Sequence, residues 1–126
     1  MNIGRADAPR AGKSRIMVVE DEVLVGMLLE EMLGDLGYEI AGMAARLDDA
    51  LEMARQSTVN AAILDVNLNG GDVFPVADVL AEREIPFIFA TGYGQRGIVE
   101  RYRDRPVLAK PFQRGDLAKT LAEVIG

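Results

Sequence analysis

The sequence predicts an α/β fold: a three-layer sandwich with helices on both faces of a five-stranded parallel sheet. Three observations predict it. Short apolar runs alternate along the chain with segments whose apolar residues recur at helical spacing. The runs are near-continuously apolar, as in strands buried on both faces. The connections between them are short, which is the pattern of successive β-α units.

Each element follows from local residues. Arg15 to Glu20 is an apolar run ending in acid. Residues 22 to 36 carry Leu24, Met27, Leu28, Met32, Leu33 and Leu36 at helical spacing, and Gly37 closes that helix. Tyr38 to Ala44 reads as a second strand. Asp48 or Asp49 can cap a helix that runs to about Arg55. Asn60 to Leu64 is a third, fully buried strand. The loop NLNGGD follows, then a helix from about Val73 to Arg83. Pro86 to Ala90 is a fourth strand, Pro106 to Ala109 a short fifth, and Phe112 to Ile125 a last helix with Leu117, Leu121, Val124 and Ile125 inward. Between strands four and five lies TGYGQRGIVERYRDR, with three glycines and little apolar face. A helix there would be short and poorly stabilised, since each interior glycine costs about 1 kcal/mol. Switching elements are drawn from such low-stability regions. The flavodoxin-like strand order 2-1-3-4-5 is the common arrangement of five such units.

Composition narrows the function. A chain of 126 residues has the length of one domain, and 49% hydrophobic residues suffice for a core. The domains expected are a disordered tail over 1–14 and one folded domain over 15–126. A net charge of −6 argues against nucleic acid as a partner. There is no cysteine, so disulfides and thiolate metal sites are excluded. There is no histidine, so neither a Ser-His-Asp triad nor a histidine ligand can form. The longest apolar stretch, VLVGMLL, is far short of the roughly 20 residues a membrane span needs. With no apolar signal core at the N-terminus, the expectation is a cytoplasmic protein without a membrane partner.

The chemistry sits at the strand ends. Glu20 and Asp21 close the first run, Asp65 the third, Thr91 the fourth and Lys110 the fifth. In an open parallel sheet the strand C-termini share one edge, so these five can converge. Three carboxylates within about 5 Å repel by roughly 3 kcal/mol per pair at an effective dielectric of 20. A bound cation or Lys110 relieves that repulsion. Oxygen donors without imidazole or thiolate select a hard ion, Mg²⁺ first. An ammonium and a hydroxyl beside a metal suit a phosphoryl group.

The segments VVEDE, ILDVN, FATG and AKPF together resemble the receiver domain of two-component response regulators, over residues 15 to 126. The resemblance implies that Asp65 accepts a phosphoryl group from a histidine kinase or a histidine phosphotransfer protein. It implies Mg²⁺ held directly by Asp21 and Asp65, by the backbone carbonyl of Asn67, and largely through water by Glu20. Thr91 would bond a phosphoryl oxygen, Lys110 would pair with the phosphate, and Pro111 would follow a cis peptide. The family's usual switch aromatic, three residues before the lysine, is Val107 here. PFIFATGYG resembles a mostly stand-alone subgroup nicknamed "FAT GUY", which lacks that aromatic and has one shortly after the threonine, here Tyr93. Tyr93 is thus a candidate reporter or a cap on the core edge, and Phe87 and Phe89 read as core packing.

The expected function is a phosphoacceptor that signals by protein–protein interaction or onward phosphotransfer, with a downstream protein target. The last predicted helix ends at the C-terminus, which favours a stand-alone protein; the alternative is a receiver module of a hybrid histidine kinase or larger regulator. An aspartate-nucleophile phosphatase would need a second acid two residues after Asp65, where Asn67 stands, so no enzyme beyond self-directed phosphoryl chemistry is expected. A pure interaction module would not need Asp65, Asp21 and Lys110 intact. No G-x-G-x-x-G follows the first strand, which removes dinucleotide binding.

Overall fold

The computed structural model describes residues 13–68 and 71–125. The expected tail therefore lies outside the described residues, apart from Lys13 and Ser14. Five strands form one parallel sheet: β1 (Arg15–Val19), β2 (Glu39–Ala44), β3 (Ala61–Asp65), β4 (Phe87–Thr91) and β5 (Val107–Ala109). Their order is β2-β1-β3-β4-β5, the predicted flavodoxin-like arrangement. Among the described residues four α-helices accompany them: α1 (Val23–Asp35), α2 (Leu47–Gln56), α3 (Phe74–Glu82) and α4 (Arg114–Ile125).

The side-chain period of 2 divides each strand between two cores. Met17, Val19, Ala62, Leu64, Phe87 and Phe89 face one way, against Ala50 and Ala54 of α2 and Val76, Ala77 and Leu80 of α3. Ile16, Val18, Ala61, Ile63, Ile88 and Ala90 face the other, against Leu29, Met32 and Leu33 of α1 and Leu117 and Leu121 of α4. Both faces are covered, which explains why the strands read as unbroken apolar runs.

Gly37 ends α1 as expected. Its φ of 89° is the left-handed region, where a Cβ is penalised. The Tyr38 N–H donates to the Leu33 carbonyl at 2.9 Å and the Gly37 N–H to the Gly34 carbonyl at 3.1 Å, which together make a Schellman close. The inward face of α1 differs from the expected one. Gly26, Leu29, Met32 and Leu33 are buried, whereas Leu24 is 79% exposed and Met27 and Leu28 also face solvent. At 100° per residue, Leu24 and Leu28 lie opposite the stripe through Gly26, Leu29 and Leu33. VLVGMLL by itself is apolar all round; the outer face is marked only later in the helix, by the exposed Glu31 and Asp35, which share a face with Leu24 and Leu28.

Two further boundaries differ. Helix α2 begins at Leu47 with Arg46 at the N-cap position, so Asp48 and Asp49 lie within its first turn. There they favour the positive end of the helix dipole instead of capping it. The NLNGGD loop contains a two-residue antiparallel ladder, Asn67–Leu68 with Gly71–Asp72. The fourth β-α unit has no α-helix: two 3₁₀ turns, Gly94–Gly97 and Glu100–Tyr102, take its place. The glycines predicted a short, poorly stabilised helix; the segment goes further and forms no α-helical turn.

Candidate functional site

Strand register assembles the site. Val19 is level with Leu64 across β1 and β3, so the next residues, Glu20 and Asp65, emerge side by side at the sheet edge. Asp65 is level with Ala90 across β3 and β4, and Thr91 with Ala109 across β4 and β5. The Lys110 N–H continues that ladder by donating to the Thr91 carbonyl at 2.9 Å. The Lys110–Pro111 peptide is cis, as the resemblance implied. All the strand-end residues picked out of the sequence therefore meet on one edge.

Burial there is deep for polar groups. Glu20, Asp65 and Thr91 are 4%, 5% and 1% exposed. Each has a partner, as a buried polar group requires. Lys110 Nζ lies 3.1 Å from Glu20 Oε1, 3.5 Å from Asp65 Oδ2 and 3.9 Å from Glu22 Oε1. The Glu22 N–H donates to Glu20 Oε2 at 3.1 Å, and the Asn67 N–H to Asp65 Oδ1 at 3.2 Å. Thr91 Oγ1 accepts the Tyr93 N–H at 3.0 Å.

The electrostatics follow from that packing. Burial pushes the Glu20 carboxyl up to about 7, the Glu22 amide opposes it, and the charge of Asp65 adds to the rise. Burial pulls the Lys110 ammonium down, but its hydrogen bond to Glu20 and the charges of Asp65 and Glu20 outweigh that pull and leave it above 10.5. One lysine thus faces more negative charge than it neutralises.

Glu20, Asp21 and Asp65 each bring a carboxylate oxygen within 4.8 Å of the others. Above them opens a cleft of about 530 Å³ lined by Asp21, Glu22, Asp65, Asn67, Gly92, Tyr93 and Lys110. The donor set is all oxygen and under-neutralised, which fits a hard divalent cation. Asn67 lies on the cleft wall, and its backbone N–H is turned to Asp65.

Sequence reading missed two groups. Glu22 lies close enough to share Lys110, and its signal was the third acid of VVEDE. Tyr102 is the second. Tyr93, the expected reporter, is 60% exposed on the cleft rim and does not cap the core. Tyr102 is buried among Phe74, Phe87 and Phe89. A lone tyrosine in an Arg-rich stretch carries no periodicity by which to find it. Phe87 and Phe89 are fully buried core residues, as read.

Comparison with known proteins agrees with this geometry. The family described as response regulator receiver domain matches residues 16–122. The transcriptional regulatory protein PdtaR of Mycobacterium tuberculosis is 38% identical over 115 residues, 88% of this chain but 56% of PdtaR. The chain thus spans a little over half the length of that relative. The solution structure of SdrG from Sphingomonas melonis Fr1 is 43% identical with a TM-score of 0.81, covering 90% of this chain and 98% of SdrG. The receiver domain of sensor histidine kinase PA1611 from Pseudomonas aeruginosa PAO1 is 26% identical with a TM-score of 0.77, over 91% of this chain and 99% of that one. Its crystal structure has a magnesium ion coordinated in the active site cleft. From the first strand to the last helix, in sequence as in strand order, this chain belongs to the response regulator receiver domain family of two-component signalling.

Proposed function

We propose that the chain accepts a phosphoryl group on Asp65 from a phosphohistidine on a partner protein, a histidine kinase or histidine phosphotransfer protein. The observation that carries this reading is the placement of Asp65: a buried carboxylate at a strand end, opening on the cleft and 3.5 Å from Lys110 Nζ. The chain has no histidine, so the donor imidazole lies outside it. In the step, an Asp65 carboxylate oxygen bonds to phosphorus. The phosphorus–nitrogen bond of the donor breaks, and its electron pair returns to the ring nitrogen. Lys110 holds a phosphoryl oxygen by charge, and the Thr91 hydroxyl donates to another while still accepting the Tyr93 N–H.

The carboxylates and an incoming phosphoryl dianion repel one another, and Lys110 supplies a single positive charge. Asp21 and Asp65, with Glu20 and the Asn67 carbonyl, would hold Mg²⁺. When bound, it supplies the charge neutralisation that phosphoryl transfer requires. Phosphorylation changes local charge and hydrogen bonding, and the output is a protein–protein contact or onward phosphotransfer. We place this chemistry in the cytoplasm; among the described residues no helix is long and apolar enough to cross a membrane.

A second reading, a receiver module of a longer regulator or hybrid kinase, is favoured by one observation. PdtaR extends well beyond the matched region, and the PA1611 receiver is part of a sensor kinase. The phosphoacceptor chemistry is the same in both readings. To test it, the chain is incubated with acetyl phosphate and Mg²⁺ and its intact mass measured. One phosphoryl group should add to the wild type and none to Asp65→Asn or to the wild type in EDTA. Equal labelling of Asp65→Asn would move the acceptor elsewhere.

A further inference from the structure

The segment between β4 and β5 is held at two ends. At one end, Thr91 Oγ1 accepts the Tyr93 N–H at 3.0 Å, so the loop hangs from a hydroxyl at the phosphoryl site. At the other end, Tyr102 Oη donates to Asp78 Oδ1 of α3 at 2.6 Å. Arg101 adds a bidentate grip, with Nη2 at 3.0 Å from both Asp78 oxygens. Its guanidinium also lies 5.0 Å from the centre of the Tyr102 ring.

Between these ends the segment is bonded to itself. The Ile98 N–H donates to the Gln95 carbonyl at 3.1 Å, Arg103 Nε to the Ile98 carbonyl at 3.0 Å, and Gln95 Nε2 to the Arg103 carbonyl at 2.9 Å. Side chains from Gly92 to Gly97 are exposed, and the first buried one is Ile98. A pull at Thr91 therefore acts on a braced unit whose far end is fixed to α3. Tyr102 also touches β4 directly, with its ring 5.4 Å from Phe87 and 6.0 Å from Phe89, two residues before Thr91.

We propose that Asp78, Arg101 and Tyr102 form a clamp that holds this segment against α3, and that Tyr102 is a positioning residue for Thr91. The inference rests on Asp65 being the phosphoacceptor. When Thr91 turns its hydroxyl to a phosphoryl oxygen, the braced segment shifts and Tyr102 leaves Asp78. The charge-assisted hydrogen bond lost there is a cost of activation, and it sets the population of the arrangement that receives the phosphoryl group. It also supplies an aromatic reporter in a chain with Val107 where the family has its switch aromatic.

Beryllofluoride with Mg²⁺ serves as the phosphoryl probe, titrated into the full chain while amide NMR shifts of residues 91–97 are followed. The variants are Tyr102→Phe, which keeps the ring, and Asp78→Asn, which keeps the volume at a half-exposed position. If the clamp opposes activation, each variant binds the probe more tightly, by roughly threefold or more, because less of the clamped state competes. The double variant should gain no more than either single one. Unchanged or weaker binding in both variants would overturn the clamp, even with a lowered Tm, since that is the result of a purely structural contact. A wild type that does not bind the probe at all would overturn the phosphoacceptor reading, and the clamp with it.

Discussion

Lys110 and Glu20 show how one side chain's burial decides another's role. Both Glu20 oxygens are engaged, Oε1 by the Lys110 ammonium at 3.1 Å and Oε2 by the Glu22 amide at 3.1 Å. Glu20 is 4% exposed and lies beneath the cleft, while Asp21 lines its wall. A carboxylate buried beneath the cleft offers less to a cation there than one that lines it. Asp21→Ala should therefore lower Mg²⁺ affinity by about tenfold or more, and Glu20→Ala by clearly less. Mg²⁺ titrations followed by amide NMR shifts measure both; equal affinities of Asp21→Ala and wild type would reverse the assignment. The sequence placed both acids on the strand end, but it did not separate them, because their difference lies in how deeply each is buried beneath the cleft.

At the scale of the element, the segment after β4 divides in two. Its first half has exposed side chains and glycines; its second half is anchored by Ile98 and Tyr102 in the α2–α3 core. The anchor has a pH signature. The Tyr102 hydrogen bond, helped by Arg101, holds the Asp78 carboxyl below its usual 3.8. Its contribution is therefore complete above 3.8 and is lost as pH falls through the lower, folded value. Burial, and then the bond to Asp78, hold the Tyr102 phenol above its usual 10. That contribution is complete below 10 and is lost as pH rises through the higher, folded value. The stability difference between wild type and Tyr102→Phe should then be flat from about pH 5 to 9, at about 1 kcal/mol given the exposure of Asp78. It should shrink toward either extreme. Urea unfolding across pH measures it, and a difference that grows at low pH would contradict the pairing. The three glycines made the weakness of any helix here legible in advance. The anchor was not legible, because Asp78 and Tyr102 are 24 residues apart and meet only through the packing of α3 against the sheet.

The described residues form two cores separated by one sheet, and α1 belongs to only one of them. Leu33 is fully buried on its inner face and Leu24 is 79% exposed on its outer face. Leu33→Ala should cost about 2–5 kcal/mol of stability. Leu24→Ala should stay within about 0.5 kcal/mol of wild type. Chemical denaturation of the two variants checks this, and a comparable loss at Leu24 would place that face inside the folded protein. The outer face of α1 therefore does not hold the domain together, although Val23, Leu24, Met27 and Leu28 on it are apolar.

The sequence by itself determined the fold class, the strand order and the gathering of five polar residues on one sheet edge. Strands buried on both faces must be apolar throughout, and in a parallel sheet their polar termini must gather on one edge. Glu20, Asp21, Asp65, Thr91 and Lys110 were legible for that reason. Only the tertiary structure decided that Glu22 shares Lys110, and that Tyr102 is the buried aromatic and Tyr93 an exposed one. Each of those depends on which distant residue lies against it. A local pattern does not contain that fact when an aromatic stands alone in a charged stretch.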